Sequence, residues 1–497
     1  MNKQKYILAI DQGTSSTKSL IFDSQGQVVA RGLELLNTAY LDNGFVEQDP
    51  EEIYQNVLAA VKKCLDNFTA EQHSIEDIAV AGISNQRETF VVWDKNGKPL
   101  HPAIVWQCKR SVEICENLKQ SGYSATIKQK TGLIIDPYFS ATKLIWLFRN
   151  NEKIKAAIDN GEAYFGTIDT WLLYKLTKGD RYLTDHTNAS RTLLFNIQSL
   201  QWDEEIIDEF GLTGIRLPEV KSSSAYFGES HFDGLFKNPI AITAMIGDSH
   251  AAAFGEGCFD LGTAKATLGT GCSILMNIGD RPIVSNNGMV TTINWSTEKT
   301  ISYALEGVIV SCGATIEWLK NELHLFDKSG DTESMARAVS DNGGVYLVPA
   351  FSGLGSPHWQ MERKASLLGL SFGSTKNHIV RAALESIPFQ IKDVIVAMEK
   401  DTSIPLKALM TNGGLTSNAF VMQFLADLLN EPVYKSVMAD VSALGAAYMA
   451  GIEPGIYDGI DFLRTLNKHR TEFIPHSNRA TQNQCYSDWL KAIDGKI

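Results

Sequence analysis

Short apolar runs separated by turn-forming residues dominate the start of the chain. Residues 6–10 and 18–23 form two such runs, and the segment 11–17 between them is rich in Gly, Ser and Thr. A turn at 24–27 leads into a third run at 28–31. Because short apolar runs bounded by such turns are typical of β-strands, the pattern predicts three meandering strands at the beginning of a first domain.

The pattern becomes helical after residue 49. Apolar side chains recur there with the spacing of one helix face, at Ile53, Val57, Ala60, Val61 and Leu65. We predict a helix over residues 50–68, with Asp49 as its N-cap and Pro50 at its first position. Residues 78–83 then predict a buried strand.

The strand pattern of the first residues recurs near residue 250. Residues 265–268 and 273–276 predict two strands joined by a Gly-Thr-Gly turn at 269–271. Further elements alternate after them, at residues 301–306 (strand), 314–323 (helix), 345–349 (strand), 378–398 (helix), 409–410 (strand) and 418–429 (helix). Two halves that share one plan predict an α/β fold with a cleft between two domains. We divide the chain into an N-terminal domain, 1–253, and a C-terminal domain, 254–497.

Composition and charge narrow the class of protein. With 497 residues, the chain is long enough for two domains of about 250 residues each. Its 44% apolar and 21% charged residues argue against a disordered, collagen-like or coiled-coil chain. The net charge of -12 argues against binding to duplex nucleic acid, although a local pocket can still bind ATP.

Targeting signals and cysteine usage indicate the cytoplasm. The first apolar run ends at Asp11 and is too short for a secretory signal, and no apolar stretch approaches the length of about 18 residues that a membrane span needs. The seven cysteines are dispersed and form no Cys-x-x-Cys pair, so we expect reduced thiols.

Two Gly-containing hairpins in matching positions of the two halves are candidates for phosphate binding. The first, at 11–16, carries Asp11, Gly13 and hydroxyl side chains, and the second is the turn at 269–271. Such turns can donate hydrogen bonds to phosphate oxygens, and a carboxylate can hold Mg²⁺ through water. The segment 412–414 (Asn-Gly-Gly), between a strand and a helix, is a third candidate. Each could instead be an ordinary turn, and the chain has neither a P-loop nor a Rossmann glycine motif.

Charged residues at two strand ends are candidates for substrate binding and catalysis. Arg87 and Glu88 follow the strand at 78–83 and could hold adjacent hydroxyls of a polyol, unless they form a surface ion pair. Asp248 follows an apolar strand and is suited to take the proton from an attacking hydroxyl in phosphoryl transfer. The alternative role of Asp248 is the N-cap of the next helix. His250 has no partners at metal-ligand spacing, which favours a structural role.

Together these residues resemble the FGGY family of carbohydrate kinases and, within it, the glycerol kinases. The resemblance runs from about residue 7 to residue 451. Two long signatures of the family are recognised at residues 138–150 and 365–385. Shorter segments similar to glycerol kinases lie at residues 84–89, 103–107, 166–171, 187–192 and 303–307.

The resemblance implies an actin-like, ribonuclease-H-like fold of two domains, with the active site in the cleft between them and with ATP and Mg²⁺ as cofactors. It implies Asp248 as the catalytic base and Asp11 as the metal ligand. The polyol site that it implies consists of Arg87, Glu88, Trp106, Tyr138, Asp248 and Ser249. The nucleotide site that it implies consists of Thr14, Ser15, Ser16, Lys18, Thr270, Gly313, Gly414, Leu415 and Asn418.

Four positions in the implied binding sites depart from the glycerol kinase pattern. Ser249 stands where those kinases have a Gln that contacts the substrate, and Ser273 stands where they have a Phe that packs on the glycerol carbons. Both changes are from large to small side chains, so we expect a roomier distal end of the pocket and weaker glycerol binding. Lys18 replaces a phosphate-facing Arg and loses its bidentate fork, and Leu415 replaces a small residue near the adenine.

We therefore predict ATP-dependent phosphorylation of a primary hydroxyl of glycerol or a related polyol. A tetritol, a tetrulose or a pentulose such as xylulose is an alternative substrate because of Ser249 and Ser273. An actin-like ATPase without a polyol substrate is a more remote alternative. We expect a cytoplasmic homodimer or homotetramer that binds neither nucleic acid nor membrane.

Overall fold

The computed structural model describes residues 5–466 and 470–496. The strands of the first half are β1 (Tyr6–Gln12), β2 (Ser16–Phe22), β3 (Val28–Leu35), β4 (Ala39–Tyr40), β5 (Val46–Gln48), β6 (Ile78–Asn85), β7 (Phe90–Asp94), β8 (Ala103–Ile104), β9 (Ala163–Thr167), β10 (Leu183–Asp185), β11 (Phe195–Asn196), β12 (Gln201–Trp202), β13 (Glu219–Lys221), β14 (Ser224–Ser230) and β15 (Ile240–Gly247). The helices of this half are α1 (Pro50–Ala70), α2 (Val112–Gln120), α3 (Ser124–Thr131), α4 (Ser140–Asn150), α5 (Glu152–Asp159), α6 (Ile168–Leu176), α7 (His186–Ala189), α8 (Glu204–Glu209) and α9 (Asp248–Gly255).

The second half has its own strands and helices. Its strands are β16 (Thr263–Leu268), β17 (Cys272–Gly279), β18 (Val290–Ser296), β19 (Ile301–Ile309), β20 (Tyr346–Val348), β21 (Ser366–Leu368), β22 (Ala408–Asn412), β23 (Val433–Ser436) and β24 (Arg470–Phe473). Its helices are α10 (Gly313–Asn321), α11 (Asp331–Arg337), α12 (Lys376–Thr402), α13 (Ala419–Leu429), α14 (Val441–Ile452), α15 (Gly459–Leu466) and α16 (Arg479–Ile493).

Two large mixed sheets repeat one strand plan. The first has the order β3-β2-β1-β6-β15-β14, in which β1 is antiparallel to β2 and parallel to β6. The second has the order β18-β19-β17-β16-β22-β23-β24, in which β16 is antiparallel to β17 and parallel to β22. The repeat predicted from the sequence is thereby confirmed, and so is the α/β class.

The capping residues predicted from the sequence explain where α1 begins. The Asp49 carboxylate accepts a hydrogen bond from the Glu51 backbone N–H at 2.9 Å, and Pro50 occupies the first helical position of α1. This confirms the predicted cap. The helix predicted at 378–398 is longer than expected, because α12 extends over 376–402 and continues through Pro388.

The helices α9 and α14 cross in close contact between the halves. A Cβ added at Gly445 would overlap the backbone of Ala251, so only glycine permits this approach. Although α14 comes from the second half, its apolar residues pack against the first sheet and its Ala450 carbonyl accepts a hydrogen bond from Thr243 Oγ1 at 2.8 Å. The division of the chain at 253/254 stays a prediction.

Substitution of Gly445 tests the importance of this crossing. We expect Gly445→Ala to lower the free energy of unfolding by about 1–3 kcal/mol, because the added methyl group forces two packed helices apart. Gly373→Ala is the matched control, since its nearest contact would be 3.7 Å from the new Cβ. Urea unfolding of both variants gives the comparison, and equal midpoints would contradict the close packing.

A second group of elements in the first half was not predicted. The small sheet β4-β5-β8-β7-β9 and helices α2 to α5 enclose a separate apolar core. This unit includes residues Trp106 and Tyr138 at its edge. Within the described part of the chain, no helix is both long and apolar enough to cross a membrane.

Candidate active site

Asp248 lies where β15 ends and α9 begins. Gly247, with extended backbone angles, is the N-cap residue, and Asp248 is the first residue of the helix. The Asp248 Oδ1 atom accepts a hydrogen bond from the Ser249 N–H at 2.6 Å, and 38% of the side chain is exposed. Asp248 is therefore not the N-cap that the sequence left as an alternative, and its carboxylate remains accessible from the cleft.

Arg87 and Glu88 lie beside Asp248, on the segment that follows β6. Both are buried, which excludes the alternative of an exposed surface ion pair. Glu88 has a φ of 60°, in the left-handed region that non-glycine residues rarely adopt. Its carbonyl accepts a hydrogen bond from Ser140 Oγ at 2.8 Å, and the Thr89 N–H donates to the Arg87 carbonyl at 2.7 Å. Local backbone strain of this kind is frequent at functional sites.

A buried network of ion pairs joins these residues to two that the sequence analysis did not single out. Arg87 Nη2 donates to Glu306 Oε1 at 2.8 Å, and Arg87 Nε lies 3.3 Å from Asp248 Oδ1. Arg191 Nε donates to Glu88 Oε1 at 2.5 Å. Arg191 and Glu306 lie within the segments 187–192 and 303–307 that resemble glycerol kinases, and this was the signal that could have identified them.

The charges of this network shift the pKa values of its members. Burial alone would raise the pKa of Glu306, but the guanidinium groups of Arg191 and Arg87 lower it well below its usual range. Burial opposes the charged form of Arg87, yet the carboxylates of Glu306 and Glu88 raise its pKa. Arg87 Nη1 is buried and has no hydrogen-bond partner within the protein, so it is a donor available to a ligand.

Trp106 and Tyr138 form the aromatic side of the site. Their ring centroids are 5.4 Å apart at an angle of 63°, and Trp106 Nε1 donates to Thr14 Oγ1 at 3.0 Å. The buried Lys143 ammonium supports this loop by donating to the backbone carbonyls of residues 137, 138 and 139. Burial lowers the pKa of Lys143 to about 8. Apolar ring faces beside polar groups suit a polyol, which has both carbon and hydroxyl surfaces.

The two serines that depart from the glycerol kinase pattern are both partly exposed. Ser273 Oγ donates to Glu306 Oε1 at 3.2 Å, which links it to the network. Ser249 donates its backbone N–H to Asp248, as described above. The Ser273 hydroxyl thus lies on β17 at the position where the resemblance to glycerol kinases implies an aromatic ring.

The hairpin between β1 and β2 carries the predicted metal ligand. The Gly13 N–H donates to the Ser16 carbonyl at 2.9 Å and closes the turn, with Thr14 and Ser15 at its tip. Asp11 Oδ1 accepts a hydrogen bond from Ser84 Oγ at 3.0 Å. Burial, followed by repulsion from Asp248, raises the pKa of Asp11 to about 6.

These carboxylates can be tested for their fit to Mg²⁺. Asp11 and Asp248 repel each other strongly enough to affect the pKa of Asp11, which is the situation that a divalent cation relieves. In residues 5–466 and 470–496, no group of three or more His, Cys, Asp or Glu side chains could hold a metal ion. Mg²⁺ commonly takes only one or two carboxylates and completes its shell with water and substrate phosphates, so the residues fit.

Lys18 has a partner that the sequence did not predict. Its Nζ donates to Asp440 Oδ1 at 2.9 Å, at the start of α14. Lys18 therefore joins the first sheet to a helix from the second half of the chain. Its side chain is 36% exposed, so a phosphate could still approach it.

A cavity of about 670 Å³ in the second half contains five of the nine predicted nucleotide residues. These are Thr270, Gly313, Gly414, Leu415 and Asn418. The Gly313 N–H donates to the Gly269 carbonyl at 2.9 Å, and Gly413 has a φ of 99° that permits the turn before Gly414. Asn418 caps α13 by accepting a hydrogen bond from the Val421 N–H at 3.1 Å.

The remaining predicted nucleotide residues lie on the other hairpin and do not line this cavity; they are Thr14, Ser15, Ser16 and Lys18. Sequence reasoning also missed part of the cavity wall. The missed residues include Ile316, Glu317, Ser329, Gly330, Thr332 and Glu333. They lie on α10, on α11 and in the loop before α11, which carry no phosphate-binding motif, so only the fold could reveal them.

Models of known protein families match both halves of the chain. The N-terminal domain of the FGGY family of carbohydrate kinases matches residues 6–255, and the C-terminal domain matches residues 264–453. The chain belongs to the FGGY family of carbohydrate kinases. It is thus a carbohydrate kinase, and its actin-like fold of two domains is the one that the resemblance implied.

Individual relatives of this FGGY kinase are similar over the full length. It is 44% identical to a glycerol kinase of Carboxydothermus hydrogenoformans, over 99% of this chain and 98% of the relative. It is also 44% identical to a glycerol kinase of Fusobacterium nucleatum, with the same coverage.

Solved structures give the same fold. A glycerol kinase of Plasmodium falciparum, crystallised with ADP, has a TM-score of 0.94 at 37% identity and covers 99% of this chain and 98% of that one. A xylulose kinase of Lactobacillus acidophilus, at 22% identity and a TM-score of 0.89, covers the same shares and is similar in fold alone.

Proposed function

We propose that this kinase transfers the γ-phosphoryl group of ATP to a primary hydroxyl of glycerol. The observation that carries the proposal is the accessible Asp248 carboxylate beside the buried Arg87, at the junction of the two halves. Full-length relatives named glycerol kinases, at 44% identity, support the same activity. The Plasmodium falciparum relative crystallised with ADP supports ATP as the phosphoryl donor.

In this proposal, Asp248 accepts the proton of the attacking hydroxyl. Arg87 Nη1, the buried donor without a protein partner, donates to a substrate hydroxyl, while Glu88 accepts from the neighbouring one. Trp106 and Tyr138 cover the carbon side of the substrate. The positioned carboxylate then converts an unreactive alcohol into a nucleophile that attacks in line.

The proposed nucleotide site combines the cavity around Thr270 and Gly414 with the hairpin at 11–16. Asp11 would hold Mg²⁺, with Asp248 as its neighbour, and the ion supplies positive charge to the phosphoryl oxygens when bound. Lys18 adds a positive charge on the same hairpin. The proposal places this enzyme in the cytoplasm, which agrees with its seven unpaired cysteines.

The direct test of the proposed function is ADP release coupled to a reporter enzyme. Glycerol, three- to six-carbon polyols and ketoses are compared at one ATP concentration. We expect release to depend on a polyol, with glycerol among the best substrates. ATP hydrolysis that no polyol or sugar stimulates would instead indicate an actin-like ATPase.

We also propose a homodimer or homotetramer, which light scattering of the purified protein tests.

A longer substrate is a second candidate because of Ser249 and Ser273. Ser273 presents a hydroxyl to Glu306 where an aromatic ring would fill the pocket, so the site offers both room and a polar partner. A tetritol, a tetrulose or a pentulose such as xylulose would use that room. A site that can hydrogen-bond an extra hydroxyl discriminates against substrates that lack it.

The double variant Ser249→Gln/Ser273→Phe tests the second candidate. If the enlarged pocket serves a longer substrate, we expect the ratio of kcat/KM for glycerol to that for a tetritol to rise about tenfold, the effect of filling a pocket with a few methylene-sized groups. The KM for ATP is the internal control, since both serines lie outside the nucleotide cavity. An unchanged preference would remove the longer substrate from consideration.

A further inference from the structure

Glu306 contacts the candidate polyol residue Arg87, although its strand belongs to the second large sheet. It is on β19, and its side chain is completely buried. Its Oε1 atom accepts a hydrogen bond from Arg87 Nη2 at 2.8 Å, and its Oε2 atom lies 2.5 Å from Arg191 Nη1. One carboxylate from the second half thus holds two arginines from the first half.

Each of these arginines continues to a further carboxylate of the site. Arg191 Nε donates to Glu88 Oε1 at 2.5 Å, and Arg87 Nε lies 3.3 Å from Asp248 Oδ1. The result is a chain of alternating charge in which Glu306 is the central member. Arg87, Glu88, Arg191 and Glu306 are all at most 4% exposed, so water screens their interactions weakly.

The position of Glu306 determines what the two arginines can do. With Nη2 occupied by Glu306, Arg87 keeps its Nη1 free as a donor for a ligand. Without the negative charge of Glu306, the two buried guanidinium groups would have to share Glu88 and Asp248. Arg87 would then shift toward Asp248, and its Nη1 donor would no longer be held in place for a substrate hydroxyl.

We propose that Glu306 is the positioning residue of the polyol site, an inference that rests on the proposed function. It orients Arg87 directly and Glu88 through Arg191. Because Glu306 comes from the second sheet, the polyol site is assembled only when the two halves of the chain are packed together. The side-chain partners of Glu306 are Arg87, Arg191 and Ser273, and none of them lines the nucleotide cavity.

The test compares Glu306→Gln and Glu306→Asp with the unmodified protein, using the polyol that the unmodified protein turns over best. We expect Glu306→Gln to lower kcat/KM for the polyol by roughly 100-fold, the usual effect of a misplaced binding group, mainly through a higher KM. The KM for ATP should change by less than about twofold, because the variant loses only contacts to the polyol and nucleotide binding stays intact. Glu306→Asp keeps the negative charge on a shorter side chain, so its loss of kcat/KM for the polyol should be smaller than that of Glu306→Gln.

Glu385→Gln is the matched control. Glu385 is a buried carboxylate paired with Arg381 at 2.7 Å on α12, outside the site. Its loss should affect unfolding but not the KM for the polyol. If Glu306→Gln does not fold, Arg191→Lys tests the same connection to Glu88 and should also raise the KM for the polyol alone.

The outcomes separate this inference from the proposed function. Absence of polyol phosphorylation by the unmodified protein would overturn both. Polyol phosphorylation that Glu306→Gln leaves unchanged, or a loss of equal size for polyol and ATP, would overturn the role of Glu306 alone.

Discussion

Replacing Asp248 by Asn is expected to lower kcat by about 10² to 10⁴, the usual contribution of a positioned general base. An amide has nearly the size of a carboxylate and can still accept a hydrogen bond from Arg87 or from the Ser249 N–H. It cannot accept the proton of the attacking hydroxyl. The KM for ATP should therefore remain nearly unchanged while turnover falls, and steady-state kinetics with saturating polyol measures both.

Asp260→Asn is the control for the loss of one carboxylate. Asp260 follows α9 closely in the chain, and Arg464 Nη1 donates to its Oδ2 at 2.6 Å near the surface. We expect its kcat to stay within about twofold, because exposed ion pairs contribute little. Near-normal turnover of Asp248→Asn would contradict the role of Asp248 as the base.

The sequence predicted those parts of the fold that depend on local signals. The first strands, the cap at Asp49 and the recurrence of the strand plan near residue 250 all come from short apolar runs and turn residues, and the structure confirms each of them. The elements between residues 112 and 212 were not predicted. All of these helices have eleven residues or fewer, and such short segments give too few turns for a clear helical period.

The sequence predicted only some residues of the candidate site, because the others depend on contacts between distant segments of the chain. Arg87, Glu88 and Asp248 stand at strand ends, where spacing alone makes a ligand contact plausible. Glu306 pairs with Arg87 across 219 residues of sequence, and Arg191 pairs with Glu88 across 103 residues. Charge pairs at such separations leave no periodic trace in a single sequence, so the resemblance to glycerol kinases points to the segments of Arg191 and Glu306, but only the fold shows their partners.

Replacing Asp11 by Asn is expected to have opposite effects on activity and stability. Activity should fall, because the carboxylate proposed to hold Mg²⁺ is lost. We expect kcat/KM for Mg-ATP to decrease by about 10² to 10³, corresponding to several kcal/mol of charge stabilisation by the ion. The required Mg²⁺ concentration should rise, and a titration of activity against Mg²⁺ measures it.

Stability without ligands should instead increase, by roughly 1–3 kcal/mol at neutral pH, because Asn removes a carboxylate whose charge is disfavoured by burial and by Asp248. The pKa of Asp11 is about 6 in the folded protein, above its ordinary value of 3.8. The folded state thus binds more protons than the unfolded state between these values, and this carboxyl lowers the free energy of unfolding as pH rises through that window. The Asn variant lacks that contribution, so its advantage over the unmodified protein should grow from about pH 4 to pH 6 and then remain constant. Chemical unfolding over this range gives the difference, and an unchanged Mg²⁺ requirement together with lower stability would contradict the assignment of Asp11 to the metal.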